Sequence, residues 1–253
     1  MRIDLNCDLG EGVIISGEPV ETLIMPYITS ANIACGLHAG DPLTIMKTID
    51  LALQHDVGIG AHPGYNDRNA FGRRPCALSH DELRAIIMYQ TGAVKIMTEA
   101  LGGRVQHVKL HGALYNKAAS DVGVAEIFIR TIMEIDPALI IVGPPGSEIY
   151  KAALKHNLAF AAEAFADRTY NDDGSLISRN LPGALIEEIS MMTERVIQLV
   201  MNKNVVTITG KNLSLQAETI CVHGDNPHAL SFVKMLNGML KQQGIALKSI
   251  GKK

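Results

Sequence analysis

Ile3-Asp4-Leu5-Asn6-Cys7-Asp8 alternates apolar and polar residues without a break, and Leu9-Gly10-Glu11-Gly12 then turns the chain. Strict alternation of this kind describes a β-strand with one apolar and one polar face. The pattern returns further along. Ala31, Ile33, Cys35 and Leu37 alternate with Ser30, Asn32, Ala34 and His38. Val57, Ile59 and Ala61 alternate with Gly58, Gly60 and His62. Val108 and Leu110 alternate with His107, Lys109 and His111, and Ile220 and Val222 with Cys221, His223 and Asp225. Seven strands are predicted, near 2–7, 28–35, 57–61, 105–111, 139–143, 158–164 and 218–223.

Helical patterns near 43–55, 80–101, 122–135, 147–156, 184–201 and 227–243 lie between them. Asp41-Pro42, Ser79 with Glu82, Asp121 and Ser147 supply helix starts, and Gly102-Gly103 ends the long helix. Strands alternating with helices make a parallel sheet. Seven of them in 253 residues suit one β/α barrel spanning 1–253, with a small added hairpin near 205–217. A doubly wound sheet is the alternative, but the GxGxxG after its first strand is missing.

In a helix-wrapped barrel the apolar set of each strand faces the helices. The other set, polar or small in five strands here, must face the axis. Such an interior is costly unless its members pair, and Lys109 facing Asp4 or Asp8 is one expected pair. Four of the nine histidines also end a strand before a small or turn-forming residue, in LHAGD (37–41), AHPG (61–64), LHGA (110–113) and VHGD (222–225). Any one of them can be a satisfied buried side chain. Four converging with Asp8 at the strand C-termini, where β/α enzymes carry their chemistry, make a candidate active site.

Composition narrows the function. Hydrophobic residues are 47% and charged residues 19%, the balance of a globular protein. The net charge of −3 shows no basic stripe for nucleic acid, and Trp is absent. No apolar run is long enough to span a bilayer, and no signal peptide is visible. Cys7, Cys35, Cys76 and Cys221 form no CxxC pair, so reduced thiols and a cytoplasmic location are expected. There is no P-loop, no GxSxG, no HExxH and no cysteine-rich zinc pattern. GPPGSEIYK (143–151) reads as a strand-to-helix turn. Asp8, His62 and His111 are acceptable ligands for a divalent metal, with dispersed spacing. Arg73 and Arg74 follow the third strand. Arg73 suits a carboxylate or phosphate, and Arg74 a solvated surface. Glu163, Asp167, Arg168, Tyr170 and Arg179 fall in one stretch, EAFADRTYNDDGSLISR (163–179), assigned to a long polar loop after the sixth strand.

DLNCDLGEG (4–12), SANIACGLHAGDP (30–42), GAHPGYND (60–67), FGRR (71–74), VKLHGALYN (108–116), FADRTY (165–170) and CVHGDNPHA (221–229) together resemble the LamB/YcsF lactam-utilisation family. The resemblance runs from residue 4 to about residue 245. It implies a seven-stranded barrel akin to glycoside hydrolase and deacetylase folds. It implies ATP as a co-substrate: 5-oxo-L-proline, ATP and water give L-glutamate, ADP and phosphate. It also implies two partners, 5-oxoprolinase subunits B and C. Within that chemistry Asp8 is expected as general base and His62 or His111 as proton donor. Lys109, Arg73 and Arg168 would stabilise carboxylate or phosphate. Asn6, His38 and His223 would orient the lactam, with Glu163 also at the substrate. Two other readings are a metal-dependent amide hydrolase of deacetylase type acting without ATP, and a non-catalytic binding subunit.

Overall fold

The computed structural model describes residues 1–178, 181–186, 188–225 and 228–252. Seven parallel strands form the barrel: β1 (Arg2–Leu9), β2 (Ser30–Ala34), β3 (Gly58–His62), β4 (Val105–Lys109), β5 (Ile140–Gly143), β6 (Phe160–Phe165) and β7 (Thr219–His223). Each pairs with the next in chain order, and β7 pairs with β1 to close the ring. The closing register sets Asp4 against Thr219, Asn6 against Cys221 and Asp8 against His223. On the other side of β1, Asn6 meets Ser30 and Asp8 meets Asn32. All seven strands lie near their predicted positions, and the ring is closed.

The helices are α1 (Pro42–Gln54), α2 (His80–Ala100), α3 (Gly112–Ser120), α4 (Val122–Ile135), α5 (Glu148–Lys155), α6 (Ile189–Asn202) and α7 (Ala229–Gln242), with a short helix at Val20–Ile24. The predicted caps form. Asp41 accepts from the amides of Leu43 and Thr44, Asp121 from Gly123 and Val124, and Ser147 from Tyr150. Ser79 and Glu82 make a reciprocal capping box. In α4, Ala125, Phe128, Ile129 and Ile132 recur at helical spacing and are buried. They join a shell with the outward residues of the strands, among them Leu5, Ile33, Ile59, Val108, Ile141 and Ile220. The apolar core therefore lies between strands and helices, and the axis is left to polar residues. Burying each large aliphatic or aromatic side chain there contributes about 1.5–3 kcal/mol.

Several expectations need correction. No helix is predicted between the fourth strand and residue 122, yet Gly112–Ser120 forms α3. This helix opens on Gly112, whose φ of +54° lies in the left-handed region. A Cβ there would stand 2.7 Å from the Gly72 carbonyl, so only glycine lets the helix start against that loop. The helix predicted from 184 begins at Ile189 instead, because residues 184–186 pair back onto 167–169: Thr169 and Ile186 amides bond the carbonyls of Ala184 and Asp167. Glu163 is not on that loop. It lies inside β6 with its side chain buried at the axis. Arg179, assigned to the same loop, is outside the described residues.

The added hairpin is present as strands Asn204–Val206 and Asn212–Ser214. A second hairpin (Ile14–Ile15 with Glu18–Pro19) and a short parallel strand, Ala246–Leu247 beside β1, were not foreseen. Nor was the bulge where Ile59 and Gly60 face Val105 and His107. All four cysteines are free thiols. Among the described residues no helix is long and apolar enough to cross a membrane.

Candidate active site

The polar face of the strands points inward, as its parity required. Near the N-terminal end of the barrel, Asp4 accepts from Thr29 (2.6 Å), Ser30 (2.7 Å) and Thr219. Asp4 is therefore not the partner of Lys109. One level higher, Lys109 Nζ lies 2.9 Å from Asp8 Oδ1 and 2.8 Å from Glu163 Oε1. It also lies 3.0 Å from Cys221 Sγ and 3.4 Å from Asn6 Oδ1. Asn6 Nδ2 donates to Glu163 Oε1 at 3.1 Å, and the Tyr115 hydroxyl donates to Glu163 Oε2 at 2.7 Å. Asn32 Nδ2 bridges Asn6 Oδ1 (2.7 Å) and Asp8 Oδ1 (2.8 Å), and its own Oδ1 accepts from His107 Nε2 at 2.8 Å. The ammonium has a full set of acceptors. Burial opposes its charge, but the Asp8 and Glu163 carboxylates outweigh burial and hold Lys109 protonated well above the ordinary lysine range. Burial would likewise raise Asp8, yet His62 and Lys109 win, and its carboxylate sits well below the usual range.

Above this network lie the histidines. His62 Nε2 is 3.2 Å from Asp8 Oδ2 and 3.0 Å from His111 Nδ1. His38 stacks on His111 with ring centroids 3.8 Å apart and planes 4° apart. Burial lowers His38 to about 3 and holds His111 well below the normal histidine range, so both rings are neutral. Phe71 closes the side, edge-on to His38 and His111, and its carbonyl accepts from His111 Nε2 at 2.8 Å. Phe71 itself has φ +54°, a conformation that costs a non-glycine residue about 1–3 kcal/mol and recurs at functional sites. His223 bonds Asp167 at 2.9 Å, stacks on Phe165, and offers a ring nitrogen within 4.8 Å of Asp8 and Cys221. The four strand-end histidines and Asp8 thus share one end of the barrel.

Two expected cations stand apart. Arg73 is on the rim, paired with Asp225 at 2.5 Å and half over the Phe71 ring. Arg168 is buried and donates to the Ile177 carbonyl within its own loop. Arg74 is exposed and paired with Asp67, the surface role expected for it.

Glu11 was missed as a site residue. Its side chain is only 3% exposed, and Oε1 lies 3.6 Å from His38 Nε2 and 3.8 Å from His111 Nδ1. Burial, then repulsion from Asp8 and Asp225, pushes its carboxyl well above the normal glutamate range. The available signal was a glutamate between two glycines directly after a strand whose polar face is functional. Tyr115 and Phe71 were not singled out as site residues either. Chemically, the arrangement combines a carboxylate held ionised, a carboxyl poised to exchange a proton, and neutral imidazoles, all sheltered from water. Such contrasts in protonation are what acid–base chemistry needs.

The chain matches the model of the LamB/YcsF family over residues 3–253. It is 45% identical over 252 residues to the A subunit of 5-oxoprolinase from Geobacillus thermodenitrificans, covering 99% of this chain and 97% of that one. Against the protein of the same name from Geobacillus kaustophilus it is 45% identical over 249 residues, covering 98% and 96%. A crystal structure of the lactam utilization protein from Thermus thermophilus superposes with a TM-score of 0.92 at 36% identity, covering 99% of this chain and all of that one. The barrel, its polar mouth and these end-to-end likenesses agree: the chain belongs to the LamB/YcsF family.

Proposed function

We propose that this chain is the lactam-opening subunit of an ATP-dependent 5-oxoprolinase that works with subunits B and C in the cytoplasm to convert 5-oxo-L-proline to L-glutamate. One observation carries the reading. The proton-exchanging cluster of Asp8, Glu11, His38, His62 and His111 sits at the mouth of a chain 45% identical, end to end, to a protein named as the A subunit of 5-oxoprolinase.

An unstrained five-membered lactam is a poor electrophile, because amide resonance protects its carbon and its nitrogen leaves badly. Transfer of the γ-phosphoryl group of ATP to the lactam oxygen releases ADP and makes the carbon electrophilic. Water then adds to that carbon. The C–N bond breaks as the nitrogen takes a proton, leaving an acyl phosphate that a second water cleaves to glutamate and phosphate. The sequence carries no P-loop, so we assign phosphoryl transfer to B and C and ring opening to this barrel.

Within that scheme Arg73 binds the substrate carboxylate at the rim. Glu11, with its raised proton affinity, is the better acceptor of the water proton, and replaces Asp8 in that role. Asp8 is held ionised by Lys109 and is a weak base, but it orients His62 and favours a proton on it. His62 or His111 then delivers a proton to the leaving nitrogen. Asn6, Glu163 and Lys109 act from below as positioning residues. His38 and His223 border the lactam.

The test is glutamate release from 5-oxoproline by the purified chain, with and without B, C and ATP. Turnover is expected only when all are present, and Glu11→Gln should lower it about 10²–10⁴-fold. Release by the isolated chain, or none from the complete set, would overturn the proposal.

A further inference from the structure

His62 and His111 are each committed to a backbone carbonyl on one side. His62 Nδ1 is 2.7 Å from the Lys109 carbonyl, and His111 Nε2 is 2.8 Å from the Phe71 carbonyl. A carbonyl only accepts, so both of these nitrogens carry hydrogen. With the far nitrogen of each ring so committed, His62 Nε2 and His111 Nδ1 are the ring positions left to take an ion. They face each other at 3.0 Å, and His62 Nε2 also faces the Asp8 carboxylate at 3.2 Å. Three atoms able to bind a metal ion therefore converge on one point. Imidazoles whose far N–H is tied to a carbonyl and whose near nitrogen is bare are oriented as metal ligands are.

A second feature points into the same space. Glu11 Oε1 and both ring nitrogens of His38 are buried without a hydrogen-bond partner. Glu11, His38 and His111 each offer a ligand atom within 4.8 Å of one another, and so do Asp8, His62 and His111. Charge agrees. Asp8 and Glu163 share the ammonium of Lys109, which leaves one carboxylate charge in excess before Glu11 is counted. The spacing also agrees. Metal–ligand bonds of about 2.0–2.1 Å in a tetrahedral set place ligand atoms about 3.3 Å apart. The two observed separations need only a few tenths of an ångström of opening.

We propose that Asp8 Oδ2, His62 Nε2 and His111 Nδ1 bind one divalent transition-metal ion, with Glu11 and His38 lining its open coordination position. Two imidazoles and a carboxylate without a thiolate suit zinc, cobalt, manganese or iron(II) rather than magnesium or calcium. Lys109 and Asn32 occupy Asp8 Oδ1 and so turn Oδ2 toward the ion. A bound ion would supply a Lewis acid beside Glu11. The assignment rests on donor geometry and holds whatever the substrate is.

The experiment is a binding titration on the full chain, stripped with chelator and dialysed, with no substrate, nucleotide or partner. Calorimetry with Zn²⁺ should show one equivalent bound at micromolar affinity or tighter. Co²⁺ should give visible d–d bands of a four- or five-coordinate ion, and either metal should raise the melting temperature. His62→Gln, His111→Gln and the nearly isosteric Asp8→Asn should each weaken binding more than about 100-fold, beyond the usual loss from an outer partner. Arg74→Gln, on the exposed surface, should bind as the parent does. Circular dichroism identifies any variant that fails to fold, and the other two then decide the result. Failure of Zn²⁺, Co²⁺, Mn²⁺ and Fe²⁺ to bind overturns the site. So does binding that survives all three substitutions, which would be adventitious. A ¹⁵N NMR spectrum showing His62 doubly protonated in the presence of metal would show that a proton, not an ion, sits on His62 Nε2. A bound ion would occupy the ring nitrogens through which His62 or His111 would deliver a proton, so glutamate release is measured separately, with and without metal, and its failure is read apart from the binding result.

Discussion

Asp8 and Lys109 are neighbours whose removal has different consequences. Asp8→Asn leaves Lys109 with Glu163 at 2.8 Å, so no buried charge is stranded. The variant is expected to fold with a melting temperature within a few degrees of the parent, while turnover falls about 10²–10⁴-fold because the charge facing His62 is gone. Lys109→Met does the opposite. It leaves Asp8 and Glu163 as two buried carboxylates without their shared cation, a loss of about 3–5 kcal/mol. Melting temperature and turnover measured on the same preparations separate the two effects. A folded Asp8→Asn protein with near-normal turnover would remove Asp8 from the reaction, and a stable Lys109→Met protein would show that the network is not electrostatically coupled. Part of this site was legible beforehand. Strand parity placed Asn6, Asp8, His62, Lys109 and His111 together, because period-two alternation assigns a face without knowledge of the fold. Glu11 escaped because a loop residue has no parity.

Strand β3 and helix α2 give the same substitution opposite signs. Gly60 lies in β3 where a Cβ would come within 2.1 Å of the His107 ring, which crosses the axis to reach Asn32. The ring is locked by that hydrogen bond and by its own strand, so Gly60→Ala should destabilise by more than the usual 1–3 kcal/mol of overpacking, or prevent folding. Gly92 lies within α2, where a Cβ would meet nothing within 4 Å. Gly92→Ala should stabilise by about 1 kcal/mol, since alanine loses less backbone entropy in a helix. Denaturant midpoints for the two variants check this, and a tolerated Gly60→Ala would mean that His107 does not fill the axis. At this level the strands and caps were readable because alternation, Asp41-Pro42 and Ser79 with Glu82 are local signals. Helix α3 was not, because its start depends on Gly112 fitting against the distant Gly72 carbonyl.

Closure of the barrel buries Asp4 at the end opposite the histidines. Burial pushes its carboxyl up to about 6; hydrogen bonds from Thr219, Thr29 and Ser30 pull it back, and the Glu163 charge adds to the rise. An unfolded aspartate titrates near 3.9. Between those two values the folded chain keeps a proton that the unfolded chain has lost. Stability from this group is therefore highest in acid and declines as pH rises through the window, with the full penalty of roughly 3 kcal/mol in place above about 6. Asp4→Asn does not titrate. The parent should lose stability relative to Asp4→Asn between pH 4 and pH 7, measured as denaturant midpoints at both. A gap that stays constant with pH would show that Asp4 is ionised throughout.

The sequence by itself determined the strand count, the face of each strand, the helix caps and the family, because all of these follow from short-range periodicity and ordered local blocks. Only the tertiary structure decided which polar groups satisfy one another. Lys109 pairs with Asp8 and Glu163 and not with Asp4, and Glu163 belongs to the axis and not to a loop. Those choices depend on how far the closed strands are staggered. They depend also on where Gly60 and the bulge beside it let His107 cross the axis. Both are properties of the ring as a whole, which no single strand encodes.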